Sequence, residues 1–257
     1  MLASRSSNPS LSILVTTMAF ALSLAACAST PSPTPDAAPT PAAAPAPALD
    51  GMPAGINDTF LSEDLEVDEY VERFEGESRA VYAQREAIVD ALDLAPGDSI
   101  ADIGAGTGFF SLLFADAVGD GGEVHAVEIS PNFLQHLRTL SHDRAPGVLE
   151  VVEGTDRSVG LDTDTIDAAF ICDVYHHFEY PEDSLASLRT AIRPGGSLYL
   201  IDFHRIPGES PDWLIAHVRA GREVFQSEIE AAGFELSEEI VIEGLEDNYF
   251  LRFENAK

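Results

Sequence analysis

The segment "ADIGAGTGFF", residues 101–110, decides the fold of this chain. A short apolar run at 99–103 leads into it, and an apolar helical pattern, "FFSLLFADAV", follows it. Gly104, Gly106 and Gly108 allow positive φ angles and a close approach of the backbone to a ligand. A helix that begins after such a turn directs its first amides at that ligand. The segment therefore predicts a strand, a ligand-binding turn and a helix.

Strand and helix patterns alternate along the rest of the chain. Apolar runs at 123–129, 148–154, 165–174 and 197–203 predict the second to fifth strands, with helical patterns between most of them. "EEIVIEG" at 238–244 and "NYFLRFE" at 248–254 predict the final strands. This alternation predicts an α/β fold, with a doubly wound, Rossmann-like sheet covered by helices on both faces.

The glycine spacing distinguishes this turn from one that binds a pyrophosphate, which requires G-x-G-x-x-G. Phe109 stands where the third glycine of that pattern would be. Asp102, just before the turn, would repel a phosphate and suits a cationic amino group instead. Glu128 ends the next strand, where a carboxylate can accept hydrogen bonds from both hydroxyls of a ribose. The pattern favours a cofactor without a pyrophosphate.

Taken together, four motifs resemble those of the class I S-adenosylmethionine-dependent methyltransferases. They are "DIGAGTG" at 102–108, Glu128, "CDVYHHF" at 172–178 and "IRPGGSLYLID" at 192–202. The resemblance covers roughly residues 65–257. It implies a seven-stranded, mostly parallel sheet whose last strand is antiparallel. It also implies S-adenosyl-L-methionine as the cofactor and methyl transfer as the activity.

The resemblance carries over to individual residues of the site. Asp102 and the glycine turn match the segment that contacts the methionyl part of the cofactor. Glu128 matches the ribose acid, Ile129 could pack on the adenine, and one of two residues after the third strand could reach the adenine amino group. Asp173 matches the position that flanks the methyl group. The implied cofactor-binding residues are Asp102, Gly104, Ala105, Gly106, Gly108, Glu128, Ile129, Thr155, Asp156 and Asp173.

Histidines gather at the carboxyl edge of the predicted sheet, where ligands bind in such folds. His176 and His177 follow the fourth strand, His204 follows the fifth, and His217 lies in the helical pattern after it. Because imidazole titrates near neutrality, we predict that His176 or His177 is a general base beside Asp173. We expect at least one of the two neighbours to point away from the site.

A metal site is the alternative use of these histidines, with Asp173 and Asp202 as further ligands. Metal-dependent O-methyltransferases of this fold have an Asn after the second carboxylate. This chain has Phe203 at that position. The resemblance therefore implies a site without a metal.

The composition limits the partners of the protein. The chain has 44 acidic and 14 basic residues, for a formal net charge of −30. Such a surface repels nucleic acid and offers no basic patch to anionic lipid. Because bases are scarce, Arg79 and Arg85 are candidates for binding the carboxylate of the cofactor or of an acidic substrate. We expect a small-molecule or protein acceptor, and the oligomeric state stays open.

The N-terminus predicts export. An apolar stretch at 11–26 follows Arg5 and is too short for a spanning helix. It ends in "LAAC", residues 24–27, which resembles the bacterial lipobox. That resemblance implies lipidation of Cys27, removal of a signal peptide at 1–26 and attachment to a membrane.

The domain organisation follows from composition. Residues 27–56 are rich in Pro and Ala and predict an extended tether, and residues 57–257 form the predicted methyltransferase domain. This organisation places the domain outside the cytoplasm, on the periplasmic side. A non-catalytic, membrane-tethered module that binds S-adenosylmethionine or a related nucleoside is the alternative function. Translation from Met52 would instead give a cytoplasmic enzyme without an anchor.

Overall fold

The computed structural model describes residues 52–256 of the 257-residue chain. The predicted signal peptide at 1–26, the predicted lipidation site at Cys27 and most of the tether at 27–56 lie outside the described residues. Within the described range, the structure contains no helix that is both long enough and apolar enough to cross a membrane.

A seven-stranded sheet forms the centre of the fold, in the order β3-β2-β1-β4-β5-β7-β6. The pairs from β3 to β5 are parallel, and β7 runs antiparallel to both of its neighbours. The prediction of a doubly wound, mostly parallel sheet with an antiparallel last strand is confirmed. The strands are β1 Ser99–Ile103, β2 Glu123–Glu128, β3 Leu149–Glu153, β4 Ile166–Cys172, β5 Ile192–Phe203, β6 Phe234–Glu239 and β7 Asn248–Asn255.

Helices cover both faces of this sheet. Two of them begin at a proline, which is favoured at the first helical position because its missing N–H has no partner there. The helices are α1 Val67–Phe74, α2 Ala80–Ala83, α3 Arg85–Ala91, α4 Phe109–Val118, α5 Pro131–Arg144, α6 Pro181–Ala191, α7 Asp212–His217 and α8 Arg222–Ala231. Short 3-10 turns occur at Gly119–Gly121 and Tyr175–His177.

The central strand β1 is buried at all five positions because helices pack on both of its faces. Ala101 and Ile103 join the core on the side of α6 and α8, and Ile100 joins the core on the side of α3 and α4. Asp102 points to the same face of β1 as Ile100 and therefore faces α4, where Ser111 contacts it.

Glycine is required in the turn after β1 for two different reasons. Gly104 and Gly108 both have positive φ angles, of +72° and +79°. A Cβ on Gly104 would lie 2.5 Å from Val174, and a Cβ on Gly108 would lie 2.6 Å from Leu140. Glycine is thus required at both positions by the positive φ and by the lack of space for a side chain, and Gly108 directly precedes α4. At Gly106, in contrast, a Cβ would have no neighbour closer than 3.9 Å.

Two sequence-based boundaries are wrong. The strand predicted at 238–244 lies at Phe234–Glu239, because Phe234 is buried in the core while Val241 is 87% exposed. The helical pattern that follows the fifth predicted strand, at 211–234, predicts one helix for most of its length but forms two, α7 and α8. Arg205 explains the break, since its guanidinium donates hydrogen bonds to the carbonyls of Ile215 and Val218 at the end of α7.

We predict that Gly108→Ala is more destabilising than Gly147→Ala. Gly147 also has a positive φ, of +82°, but a Cβ on Gly147 would have no neighbour within 4 Å, so it controls for backbone strain alone. Because Gly108→Ala adds overpacking against Leu140 and Leu137, its loss of unfolding free energy should exceed the control's by about 1–3 kcal/mol. Urea denaturation measures both, and equal losses would contradict the packing role.

Candidate active site

A cavity of about 880 Å³ opens at the carboxyl ends of the parallel strands. It lies beside the reversal of strand order between β1 and β4, the place where ligands bind in open α/β sheets. Gly108 lies outside its lining and packs against α5 instead. The predicted site residues that line the cavity are Asp102, Gly104, Ala105, Gly106, Glu128, Ile129, Thr155, Asp156, Asp173, His176 and His177.

Glu128 is fixed to the wall of the cavity by backbone amides. Its Oε2 accepts from the N–H of Gly106 at 2.9 Å, and its Oε1 accepts from the N–H groups of Ile129 and Ser130 at 2.7 and 2.9 Å. Burial raises the pKa of Glu128, and the three amide hydrogen bonds oppose that shift. A carboxylate has about four acceptor positions. Because three backbone amides occupy three of these positions, Glu128 can still accept one hydrogen bond from a ligand hydroxyl.

Asp102 places a second buried carboxyl at the glycine turn. Its Oδ2 accepts a hydrogen bond from the Ser111 hydroxyl at 2.6 Å. Burial raises the pKa of Asp102 to about 7, against the opposing effect of the Ser111 hydrogen bond. A cationic group in the cavity would favour the ionised carboxylate, because an opposite charge lowers the pKa of an acid.

Asp173, which directly follows β4, is held by two partners. Arg79 Nη2 donates to its Oδ2 at 2.6 Å, and Asn248 Nδ2 donates to its Oδ1 at 2.7 Å. Burial raises the pKa of Asp173, while the charge of Arg79 opposes the shift. Arg79 is therefore paired within the protein. Arg85 pairs with Glu77 and does not line the cavity.

His176 forms a buried pair with Asp202. Its Nδ1 lies 2.9 Å from Oδ1 and 3.1 Å from Oδ2 of that carboxylate, and its backbone N–H also donates to Oδ2. Burial lowers the pKa of His176, but the charge and hydrogen bond of Asp202 raise it more, so the net shift is upward. Because Asp202 occupies Nδ1, the nitrogen that can accept a proton is Nε2.

His177 is oriented differently. Its Nδ1 lies 3.1 Å from Asn57 Oδ1, and its Nε2 lies 3.3 Å from Nε2 of His217. Burial, together with the neighbouring His176 and His217, lowers the pKa of His177 to about 2. His177 therefore stays neutral in the ordinary pH range and is a much weaker base than His176.

The expectation that His176 and His177 point apart is wrong, since both line the cavity. That expectation assumed the alternation of an extended chain. The two residues instead lie in a 3-10 turn, where successive side chains are about 120° apart. His204 is not in the cavity lining, and its ring packs on Tyr249.

Two residues that organise this site were not predicted from the sequence. Asn57 stands at the predicted border between tether and domain, yet it contacts His177, which is 120 residues away. Asn248 begins β7 and binds Asp173 from a distance of 75 residues. Asn57 belongs to no local motif, and the strand pattern that begins at Asn248 gives no sign that this side chain contacts the site. The role of these two buried asparagines follows only from their contacts in the folded structure.

The fold and this site define a class of protein. A sheet in the order 3-2-1-4-5-7-6, with β7 antiparallel and a glycine turn after β1, is the Rossmann-like methyltransferase fold. Residues 101–200 match the family model described as a methyltransferase domain. Together these findings support a class I methyltransferase and support S-adenosylmethionine as its cofactor.

Two curated proteins illustrate the sequence similarity. An uncharacterized 37.1 kDa protein in transposon TN4556 of Streptomyces fradiae is 33% identical over 52% of this chain and 36% of that protein. A ubiquinone/menaquinone biosynthesis C-methyltransferase of Ectopseudomonas mendocina is 29% identical over 44% of each chain. The chain thus spans less than half the length of these relatives.

Two solved structures illustrate the likeness of fold. A SAM-dependent methyltransferase from Aquifex aeolicus superposes with a TM-score of 0.64 at 17% identity, covering 74% of this chain and 99% of that one. A possible exported protein from Bordetella parapertussis superposes with a TM-score of 0.53 at 16% identity, covering 68% of this chain and 67% of that one.

Proposed function

We propose that this protein transfers the methyl group of S-adenosylmethionine to a small-molecule or protein acceptor. One observation carries the proposal. The same cavity is lined by the glycine turn, Asp102 and Glu128, here called the first wall, and by Asp173 and His176, here called the second wall. The first wall suits a nucleoside with an amino-acid tail, and the second suits an acceptor that has a proton to lose.

The first wall fits the cofactor in both shape and charge. The open space at Gly106 admits a ligand close to the backbone, where a side chain would intrude. Asp102 offers a buried carboxyl to an ammonium group, and Glu128 offers an acceptor to a ribose hydroxyl. When bound, S-adenosylmethionine supplies an electrophilic methyl group on a sulfonium centre.

The second wall supplies alignment and a proton acceptor. Arg79 and the Asn248 amide fix the position of the Asp173 carboxylate beside the cavity. His176 can accept the proton of an acceptor O–H or N–H at Nε2, and Asp202 stabilises the imidazolium that results. Placing both reactants in one enclosed cavity contributes through orientation and exclusion of water.

The acceptor end of the cavity is aromatic. Phe60, Phe178, Phe203 and Trp213 line the cavity together with the histidines. Such a lining favours an acceptor with an apolar body and one polar reacting group. The net charge of −30 argues against nucleic acid as the acceptor, because few cations are available to neutralise phosphates.

We predict that Glu128→Ala weakens binding of S-adenosylmethionine while Glu153→Ala does not. Glu153 is the register partner of Glu128 at the end of β3, but it is exposed and does not line the cavity, which makes it a matched control. Loss of a buried hydrogen-bond acceptor costs about 1–3 kcal/mol, so Kd should rise about 5- to 150-fold.

Isothermal calorimetry on the full chain in detergent measures that effect. Thermal melting of both variants separates a local loss from unfolding, since Glu128 also binds three backbone amides. If the wild-type chain bound no S-adenosylmethionine, the proposed function would be wrong. Binding without turnover on any acceptor would favour the non-catalytic module instead.

We predict that His176→Ala lowers kcat by about 10²–10⁴-fold, the usual contribution of a general base. S-adenosylmethionine affinity should change little. His177→Ala should have a smaller effect, because the lowered pKa of His177 makes it a weak base. The wild-type rate should fall as pH drops, since His176 must be neutral, with a midpoint above the ordinary imidazole value of about 6.5.

Transfer of a labelled methyl group to an acceptor found by screening measures these rates. His204→Ala serves as the control, because His204 lies outside the cavity lining. Full turnover by His176→Ala would show that the acceptor reacts without a base from His176.

We also propose that the protein is a lipoprotein whose domain lies on the periplasmic side of a membrane. The apolar stretch that ends in "LAAC" and the following Pro/Ala segment support this location. The fold likeness to a possible exported protein is compatible with it. Cys27→Ser should move the chain from the detergent phase to the aqueous phase. A native N-terminus at Met52, measured by mass spectrometry, would overturn the proposal.

A further inference from the structure

Three imidazole rings meet at the acceptor end of the cavity. His176 and His177 come from the turn after β4, and His217 comes from the end of α7. We call these three residues the histidine cluster. Each offers a ring nitrogen, and the three nitrogens lie within 4.8 Å of one another. The cluster forms part of the cavity wall.

Hydrogen bonds orient two of these rings. Asp202 occupies Nδ1 of His176, and Asn57 Oδ1 lies within hydrogen-bond distance of Nδ1 of His177. Nε2 is therefore the remaining nitrogen of both rings, and Nε2 of His177 faces Nε2 of His217 at 3.3 Å. Metal-binding histidines almost always have a carboxylate or carbonyl partner on the second ring nitrogen, which fixes the tautomer and the ring orientation. Asp202 and Asn57 provide that arrangement here.

The spacing of the nitrogens fits a small ion. Two nitrogens bound at 2.0–2.1 Å to a tetrahedral Zn²⁺ ion are about 3.3–3.4 Å apart. The Nε2 atoms of His177 and His217 are 3.3 Å apart. One ring nitrogen from each of the three residues lies within 4.8 Å of the other two, which is longer than that separation, so the rings would have to move together to bind one ion.

We propose that His176, His177 and His217 form a binding site for a divalent first-row transition-metal ion, of which Zn²⁺ is the best match. Imidazole ligands suit zinc, copper, nickel and iron rather than magnesium or calcium. Three protein ligands would leave a fourth position open toward the cavity, as in catalytic zinc sites. That position would accept an oxygen, nitrogen or sulfur atom of a molecule in the cavity.

This site differs from the metal alternative predicted from the sequence, in which Asp173 and Asp202 were ligands alongside the histidines. Asp173 is occupied by Arg79 and Asn248. Asp202 orients His176 and is not itself part of the cluster. The site proposed here therefore keeps histidine ligands and has no carboxylate ligand, so the Asn expected after the second carboxylate is irrelevant to it.

The proposal stands independently of methyl transfer, but it has a consequence for it. Nε2 of His176 has one lone pair, which cannot bind an ion and accept a proton at the same time. A metal-loaded chain would therefore lack the proton acceptor proposed above. The binding experiment uses neither cofactor nor acceptor, so its outcome does not depend on the proposed function.

The test is a titration of the full, chelator-treated chain in detergent with Co²⁺, followed by visible absorption. We expect one Co²⁺ per chain with the intense bands of tetrahedral coordination, and displacement of the Co²⁺ by Zn²⁺. Asp202→Asn, which removes the orienting carboxylate, should lower affinity by about 10–100-fold. His177→Ala and His217→Ala should lower it further, and His204→Ala should bind as the wild type does.

Two results would overturn the site. One is the absence of stoichiometric Co²⁺ binding by the wild-type chain. The other is unchanged binding in the His177→Ala/His217→Ala double variant, which would place the ion elsewhere. His217 lies half-buried at the end of a short helix, so its loss should be tolerated. If circular dichroism showed that His217→Ala does not fold, His217→Gln would replace it in the Co²⁺ titration, because glutamine keeps a polar side chain without an imidazole.

Discussion

The carboxylate of Glu128 connects the ends of two parallel strands, and the geometry of the cavity depends on that connection. Glu128 leaves β2 and accepts the N–H of Gly106 in the turn after β1, as well as two amides of its own chain segment. A charge that is 7% exposed would be costly without these bonds. The bonds both satisfy the charge and hold the glycine turn open toward the cavity.

In the second wall, too, each buried carboxylate has a partner that compensates for its loss of solvent. Asp173 and Asp202 are both removed from solvent, and each is paired with a base, Arg79 or His176. Removing one partner of a buried ion pair typically costs about 3–5 kcal/mol, because the other charge is left uncompensated. The positive φ of Asp173, +54°, adds local strain at this wall. The strained residue Asp173 therefore also lines the proposed active site.

Residues before the first helix close the cavity on a third side. Asn57 donates to the carbonyl of His177 and to Glu179, and it also contacts the imidazole of His177. Phe60 packs edge-on against His177, with ring centroids 5.3 Å apart. The segment that follows the predicted tether is therefore part of the site, because it contacts His177 of the histidine cluster.

The order of strands and helices, the glycine turn and the residues of the first wall could be predicted from the sequence, except for the bounds of β6. Asp102, the glycines and Glu128 belong to consecutive local units, and strand periodicity and turn chemistry depend on near neighbours in the chain. The partners of the residues in the second wall could not be predicted in this way. His177 meets Asn57 across 120 residues, Asp173 meets Asn248 across 75, and His217 meets His177 across 40. Such pairs are set by the packing of distant elements, which leaves no periodic or motif-like mark in the sequence.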